Sequence, residues 1–262
     1  MCGRYGSWSS GTVLAGVFDA VLTEEAALLG PSWNVAPGAD VRVVVERAAG
    51  DRDRAVATRQ LRVARWGLLP SWAKDPAMAR RAINARAESA ATKPFFRDAM
   101  TSFRAVVPAD CWYEWQRADI AGPSAGSSAR GAPPRPFALR AADGAPLALA
   151  GLCSWWRGPV DRPGPARHGQ WLLTCAIVTR AAGPDLAWLH HREPVVLRPQ
   201  DVGAWLDPGL TDGHGAAGLL GGPRPALAWH EVDPAVGSVH SQGPQLLEPA
   251  GGAGPSLGPL GP

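Results

Sequence analysis

Ala105-Val106-Val107-Pro108-Ala109-Asp110-Cys111-Trp112-Tyr113-Glu114-Trp115 is the stretch on which the reading of the fold turns. Residues 105–107 and 112–115 have the β-branched and aromatic character of strands. Pro108-Ala109-Asp110 between them has turn chemistry. The same short-strand pattern recurs on either side. Strands are predicted over 41–46 and 61–66 upstream, and over 137–140, 147–155 and 171–179 downstream. Helices are fewer. Apolar residues at helical spacing, stopped by Gly30-Pro31, predict one over 13–29. Shorter ones are expected over 82–91, 183–190 and 199–206, the last with Asp201 in its first turn. Strands and helices do not alternate regularly, which argues against a parallel, doubly wound sheet. The chain reads as a single α+β domain on a curved, largely antiparallel sheet.

Three stretches carry no periodicity. Residues 120–136 and 158–169 are Gly-, Ser-, Ala- and Pro-rich inserts, and 249–262 is a Gly/Pro tail. They are expected to be disordered and to hold no core, which leaves one domain over 2–248. A hydrophobic content of 46% supports a sizeable core. There is no apolar run of membrane-spanning length and no visible signal peptide, so a cytoplasmic protein is expected.

The four cysteines, Cys2, Cys111, Cys153 and Cys175, form no C-x-x-C pair. Neither a metal site nor a redox motif is expected, and no cofactor is called for. Cys153 and Cys175 lie in apolar runs and read as core residues. A net charge of +3 is too small to announce nucleic-acid binding. The kind of base is more telling: only Lys74 and Lys93 are lysine, and the rest are arginine, which grips phosphate and stacks on bases. Genome composition accounts for part of that bias. Twelve tryptophans exceed the needs of one core, and exposed ones suit base stacking.

Cys2 is the residue with the most distinctive chemistry. A small residue at position 2 allows Met1 to be removed, which leaves a free α-amine beside the thiol. The amine condenses with an aldehyde, and the sulfur closes a five-membered thiazolidine. Reference pKa values of about 8 and about 8.5 keep both groups reactive near neutrality. Other motifs supply complementary groups. Asn34-Val35-Ala36-Pro37-Gly38 is a polar turn, and Trp66-Gly67-Leu68-Leu69-Pro70-Ser71-Trp72 sets two tryptophans about a tight turn. Asn84 and Arg86 stand two apart, able to orient a substrate and hold a phosphate. Glu114 lies among three aromatics, which suits a raised pKa and a general acid. His190 and His191 precede Arg192; adjacent side chains do not share a helix face, so they do not read as a metal pair.

Six segments occur in one order: Met1-Cys2-Gly3-Arg4-Tyr5, Asn34-Val35-Ala36-Pro37, Trp66 to Trp72, Ile83-Asn84-Ala85-Arg86-Ala87-Glu88, Val107 to Trp115, and Leu189-His190-His191-Arg192-Glu193-Pro194. Together they resemble the SOS-response-associated peptidase (SRAP) family, the abasic-site processing proteins. The resemblance implies one α+β domain with a barrel-like sheet, flanking helices and a groove for single-stranded DNA carrying abasic sites. It implies a covalent thiazolidine through mature Cys2, with lyase-type and self-cleaving peptidase activity, in a monomer that joins the nucleoid when bound to DNA. By motif, Asn84 would place the sugar, Glu114 would serve as acid/base in ring opening and reversal, and His190 would move protons in the Schiff-base and β-elimination steps. Arg4, Arg86 and Arg192 would hold phosphates, helped by Asn34 and Thr179. Trp66, Ser71 and Trp72 would line the DNA path, with Trp72 as the stacking wedge.

The chain departs from the family's usual pattern at four places. Cys111 stands where Gly is usual, His191 where Asp is usual, and Glu193 where Met or Arg is usual, while Val239-His240-Ser241-Gln242 replaces an Asn-containing segment. His191 therefore stays open as an alternative working histidine. Two other functions also fit: an N-terminal-nucleophile amide hydrolase, and a single-strand binder that does not depend on Cys2.

Overall fold

The computed structural model describes residues 2–47, 58–116, 133–158 and 171–252. Its strands in chain order are β1 (Arg4–Ser7), β2 (Val21–Leu22), β3 (Ser32–Val35), β4 (Asp40–Arg47), β5 (Thr58–Trp66), β6 (Asn84–Arg86) and β7 (Arg104–Ala109). They continue as β8 (Cys111–Gln116), β9 (Arg135–Ala141), β10 (Leu147–Arg157), β11 (Trp171–Ala181), β12 (Arg192–Pro194), β13 (Val196–Leu197) and β14 (Leu227–Glu231). The helices are short: α1 (Gly11–Val17), α2 (Glu24–Leu28), α3 (Ala87–Ala90), α4 (Arg97–Ser102), α5 (Pro199–Leu206) and α6 (Gly213–Gly218).

The expected α+β class holds. β5, β4, β7, β10 and β11 pair in turn, each antiparallel to the next. A ring of five alternating strands cannot be antiparallel at every junction, so one contact must be parallel. It is the short one between β11 and β5, where Thr174 faces Arg65 and Cys175 faces Trp66. That contact closes the barrel. A second, antiparallel sheet runs β14-β9-β8-β1-β3.

The deciding stretch is a corner between these sheets. Pro108 and Ala109, read as turn residues, finish β7; Asp110 alone separates β7 from β8, yet the two strands belong to different sheets. The Asp110 carboxylate accepts the Trp8 and Ser9 backbone N–H groups at 2.6 and 2.8 Å, and its own N–H donates to the Gly6 carbonyl at 2.8 Å. The corner thereby pins the N-terminal strand against β8, with Tyr5 opposite Trp112 and Gly6 opposite Cys111.

Period-two alternation divides the core. Val106, Ala148, Ala150, Leu152, Ala176 and Val178 pack with the helices around Met100, Trp205 and Leu206. Their neighbours Val43, Ala105, Val107, Leu149, Cys175 and Ile177 pack with Cys2, Tyr5, Trp112 and Leu139. The chain's first residues are thus built into the second core, not left at a frayed end.

Several expectations need correction. The helix read over 13–29 is two helices, α1 and α2; Asp19 at φ +48 breaks it, and Val21–Leu22 is drawn into the sheet beside β5. Residues 82–91 begin as strand β6 before the turn of α3. Residues 183–190 form separate turns, with hydrogen bonds from Leu186 and Ala187 to Gly183 and from His190 to Leu186. Arg135 and Pro136, counted with the first insert, open β9. Pro249 bridges Val232, so the tail departs later than expected. Residues 120–132, 159–169 and 253–262 lie outside the described residues.

Candidate active site at the N-terminal cysteine

Cys2 precedes β1, the strand held between β3 and β8, and its side chain is fully buried at 0% exposure. β6 lies parallel to β11, with Asn84 opposite Ile177, and this brings Asn84 to the same point. Its Nδ2 donates to the Cys2 carbonyl oxygen at 2.9 Å, while its Oδ1 is buried without a hydrogen-bond partner among the described residues. Glu114, on β8, is 5% exposed. Glu114 and His190 line one small cleft, walled by Trp112, Leu139 and Leu189.

Electrostatics corrects one expectation. Burial pushes the Cys2 thiol far above its ordinary range, and the Glu114 carboxylate pushes it further. At neutral pH the folded protein holds a thiol, not a thiolate. Bond formation at sulfur then requires a neighbouring base to take the proton.

His190 sits on the turn segment between β11 and β12. Its Nδ1 lies 2.9 Å from the Arg192 backbone nitrogen and 3.2 Å from the Arg192 carbonyl oxygen, which fixes the ring against the Arg192 main chain. The exposed His191 ring stacks on His190, with centroids 4.2 Å apart. The segment is tethered at its base. The Trp188 carbonyl accepts from Gln116 Nε2 at 3.3 Å, and the Trp188 ring meets Phe137 edge-on at 5.1 Å.

The residues expected to hold DNA divide into groups. Arg86, Ser71 and Trp72 are exposed, with Trp72 at 50%. Arg4 donates to the Asn34 side-chain oxygen and to the Val236 and Gly237 carbonyls at 2.9–3.0 Å; none of these partners is anionic, so its charge is not neutralised. Asn34 is buried, and its Nδ2 is spent on the Val236, Ser238 and Ser241 carbonyls. Its side-chain oxygen is positioned to orient Arg4. Of its carbonyl partners, Ser241 belongs to the departing 239–242 segment, and Gln242 Nε2 returns a bond to the Asn34 carbonyl. Arg192 is held bidentately by Glu88 at 2.6 and 3.0 Å and also donates to Thr179. Thr179 is fully buried and can only steer Arg192.

Trp66 is the clearest misplacement. It is 1% exposed, it packs edge-on to Tyr5, and its Nε1 donates to the Ile83 carbonyl at 2.9 Å. No face is left for a base, so its role is to floor the site. The tryptophan argument narrows accordingly: of the twelve, only Trp72 and Trp171 are exposed, and Trp171 stands at 61%.

Sequence reasoning missed the support for the histidine segment. Buried Glu193 accepts from Arg180 at 2.9 Å, from Arg224 at 3.4 Å and from the Gly183 backbone N–H at 3.3 Å. Arg224 also reaches Asp185. In the sequence Glu193 is only a departure from pattern, and its meaning needs these partners. Among the described residues no group of three or more His, Cys, Asp or Glu is placed to hold a metal ion. No described helix is long and apolar enough to cross a membrane.

A closed mixed barrel with a buried cysteine ahead of its first strand, hydrogen-bonded to an amide and close to a carboxylate, is the class that fold and site define. The chain belongs to the SOS response associated peptidase (SRAP) family, whose profile matches residues 1–239. The expected membership holds. Abasic site processing protein YoqW of Bacillus subtilis (strain 168) is 31% identical over 253 residues, which cover 95% of this chain and 99% of that protein. Abasic site processing protein YedK of Escherichia coli (strain K12) is 32% identical over 219 residues, covering 83% and 84%. Among solved structures, a protein from Bacteroides thetaiotaomicron matches with a TM-score of 0.74 at 19% identity, over 95% of this chain and 100% of that one. A phage-related protein from Bordetella bronchiseptica matches with a TM-score of 0.59 at 28% identity, over 88% and 94%.

Proposed function

We propose that the protein captures abasic sites in single-stranded DNA as a covalent thiazolidine at Cys2 once Met1 has been removed. The observation that carries this reading is a buried Cys2 hydrogen-bonded by Asn84 and close to Glu114, with His190 lining the same cleft as Glu114. Relatives named abasic site processing proteins support the substrate class.

The chemistry follows from the groups present. The abasic sugar opens to an aldehyde, with Glu114 delivering the ring-oxygen proton. The Cys2 amine adds to the carbonyl carbon, and loss of water gives the imine. The Cys2 sulfur then bonds to that carbon, its proton leaves through Glu114 or His190, and the imine nitrogen regains a proton. Asn84 holds the Cys2 main chain while its Oδ1 is available to a sugar hydroxyl or the amine. His190 is the proposed base for β-elimination at the 3′ phosphate, the lyase branch. Arg4 and Arg86 neutralise phosphates, Arg192 joins them when Glu88 lets go of it, and Trp72 stacks at the rim. One chain suffices for these roles, at the nucleoid.

The test is a denaturing gel of purified protein with single-stranded DNA bearing one abasic site. A heat-stable adduct is expected with wild type and none with Cys2→Ala or with a residue left ahead of Cys2. An undiminished adduct in either variant overturns the proposal. The Cys2–Glu114 pair also favours a second reading, hydrolysis of the Met1–Cys2 bond by the chain itself. Intact mass of protein made in cells lacking methionine aminopeptidase decides it: Met1 lost from wild type but retained in Glu114→Gln supports self-cleavage, whereas Met1 retained in both or lost from both rejects it.

A further inference from the structure

An open cavity of about 450 Å³ is lined by Asp75, Met78, Arg81, Ala82, Phe95 and Phe96. Its size falls in the range of small-ligand sites. Exposed Trp72 meets Phe95 edge-on at 5.7 Å, and Phe95 meets Phe96 at 5.3 Å, so the aromatic wall continues out to the rim. One glycine permits this arrangement. Gly67 has φ +131, and a Cβ there would stand 2.9 Å from the Ala79 carbonyl oxygen. Only glycine lets the Trp66–Trp72 loop close onto the turn Pro76–Arg81 that forms the cavity wall.

Charge around the opening selects the occupant. Lys74, Arg80, Arg81, Arg86 and Lys93 are exposed, and among the described residues none of them pairs with a carboxylate. The two other acids of this region are taken, Glu88 by Arg192 and Asp98 by Arg97. An apolar, aromatic slot ringed by uncompensated cations suits a flat ring attached to a phosphate chain. Position adds the register. Ala82 lines the cavity, and Asn84, two residues on, binds Cys2. Two residues span at most about 7 Å, within the reach of one nucleotide of extended single strand.

We infer that this cavity is a nucleobase subsite that takes the base next to the captured abasic sugar. The inference rests on the proposed abasic-site function. The flanking base unstacks from the strand, lies against Phe95 with Trp72 at its edge, and presents its polar rim to Arg81 and Asp75. Asp75 Oδ1 accepts the Ala77 N–H at 2.9 Å, which orients the carboxylate at the cavity mouth. The subsite holds the strand in place at a position where the damaged nucleotide offers no base of its own.

The experiment uses the full chain carrying Cys2→Ala, so that only non-covalent binding is read. Fluorescence anisotropy is measured on single-stranded oligonucleotides with one stable tetrahydrofuran abasic analogue, in which the neighbour on either side is a purine nucleotide or a second baseless residue. Removing the base on one side should weaken binding at least about fivefold, the lower end expected for one stacked base. Removing it on the other side should have no effect. Adding Met78→Trp, which fills the slot, or Phe95→Ala, which removes its wall, should abolish the penalty. Arg81→Ala, at an exposed position, should at least halve it and covers the case in which the other two fail to fold. An unchanged penalty in all three variants, or no penalty in the parent, overturns the inference. Wild-type adduct that forms equally with every flank sinks the subsite alone, whereas no adduct on any oligonucleotide sinks the underlying reading.

Discussion

Asn84 Nδ2 donates to the main-chain carbonyl oxygen of Cys2 at 2.9 Å, across 82 residues of sequence. This one bond couples β6, at the barrel, to the residue ahead of β1 in the second sheet. It fixes the N-terminal residue from outside its own strand, where a chain end would ordinarily fray. In the proposed reaction, the position of the Cys2 amine and thiol depends on that anchor.

Asn84→Ala should therefore slow adduct formation more than it harms the fold. Losing the anchor and the buried acceptor should cost about 1.5–3 kcal/mol in the reaction barrier, or roughly 10- to 150-fold in rate. The melting temperature should fall by only a few degrees. A time course on denaturing gels beside a thermal melt separates the two effects.

Glu88 restrains Arg192, and hydrogen bonding from Arg192 is the main reason that the Glu88 carboxyl is held below its usual range. Glu88→Gln should release the guanidinium toward a phosphate. Binding of single-stranded DNA should tighten severalfold at low salt. The salt dependence should steepen by up to about 0.7 in the log–log slope, the contribution of one added phosphate contact. Anisotropy titrations across salt concentrations read both values; a flat comparison would mean that Arg192 is structural.

Glu193 is 2% exposed and shared by Arg180 and Arg224. Glu193→Ala leaves two cations facing each other at the base of the histidine segment. The expected loss is about 3–5 kcal/mol in urea unfolding. Arg180→Met with Glu193→Met should recover much of that stability. Adduct formation should remain slow in the double variant if the clamp also positions His190.

Alkaline pH should unfold the protein through its thiols. Burial pushes Cys2, Cys111, Cys153 and Cys175 upward, Cys111 to about 12. The folded state keeps these protons while the unfolded chain releases them from about pH 8.5. Each raised group contributes fully below the unfolded pKa and loses its contribution as pH climbs toward the folded one. With four such groups, stability should fall by about 4–5 kcal/mol per unit above pH 9. Urea unfolding at pH 8, 9 and 10 checks this, and Cys153→Ala should reduce the slope by about one quarter.

Much of the fold was legible because strands here follow a local rule. Alternation over 41–46, 147–155 and 171–179 located β4, β10 and β11, and Pro199 with Asp201 located α5. Closure of the barrel was not legible, because the β11–β5 contact pairs residues about 110 apart by geometry that no local pattern encodes. The helix over 13–29 failed for the same reason, since Val21–Leu22 obeys a neighbouring strand and not its own periodicity. At the site, chemically distinctive residues were readable: Cys2, Asn84 and Glu114 stand together. Trp66 and Asn34 were misjudged because a sequence does not report burial. Glu193 stood out only as an oddity because its two arginines lie 13 and 31 residues away.

The place of β1 between β3 and β8 also has a consequence for timing. Cys2 is made first, but β8, Asn84 and His190 arrive only with later parts of the chain. At roughly 5–20 residues per second, the amino terminus waits on the order of 10 to 40 seconds before the last of them leaves the ribosome. During that interval it is open to the enzymes that trim nascent chains. Once the sheet has formed Cys2 is buried, so on the proposed function any trimming by other enzymes should be complete before then.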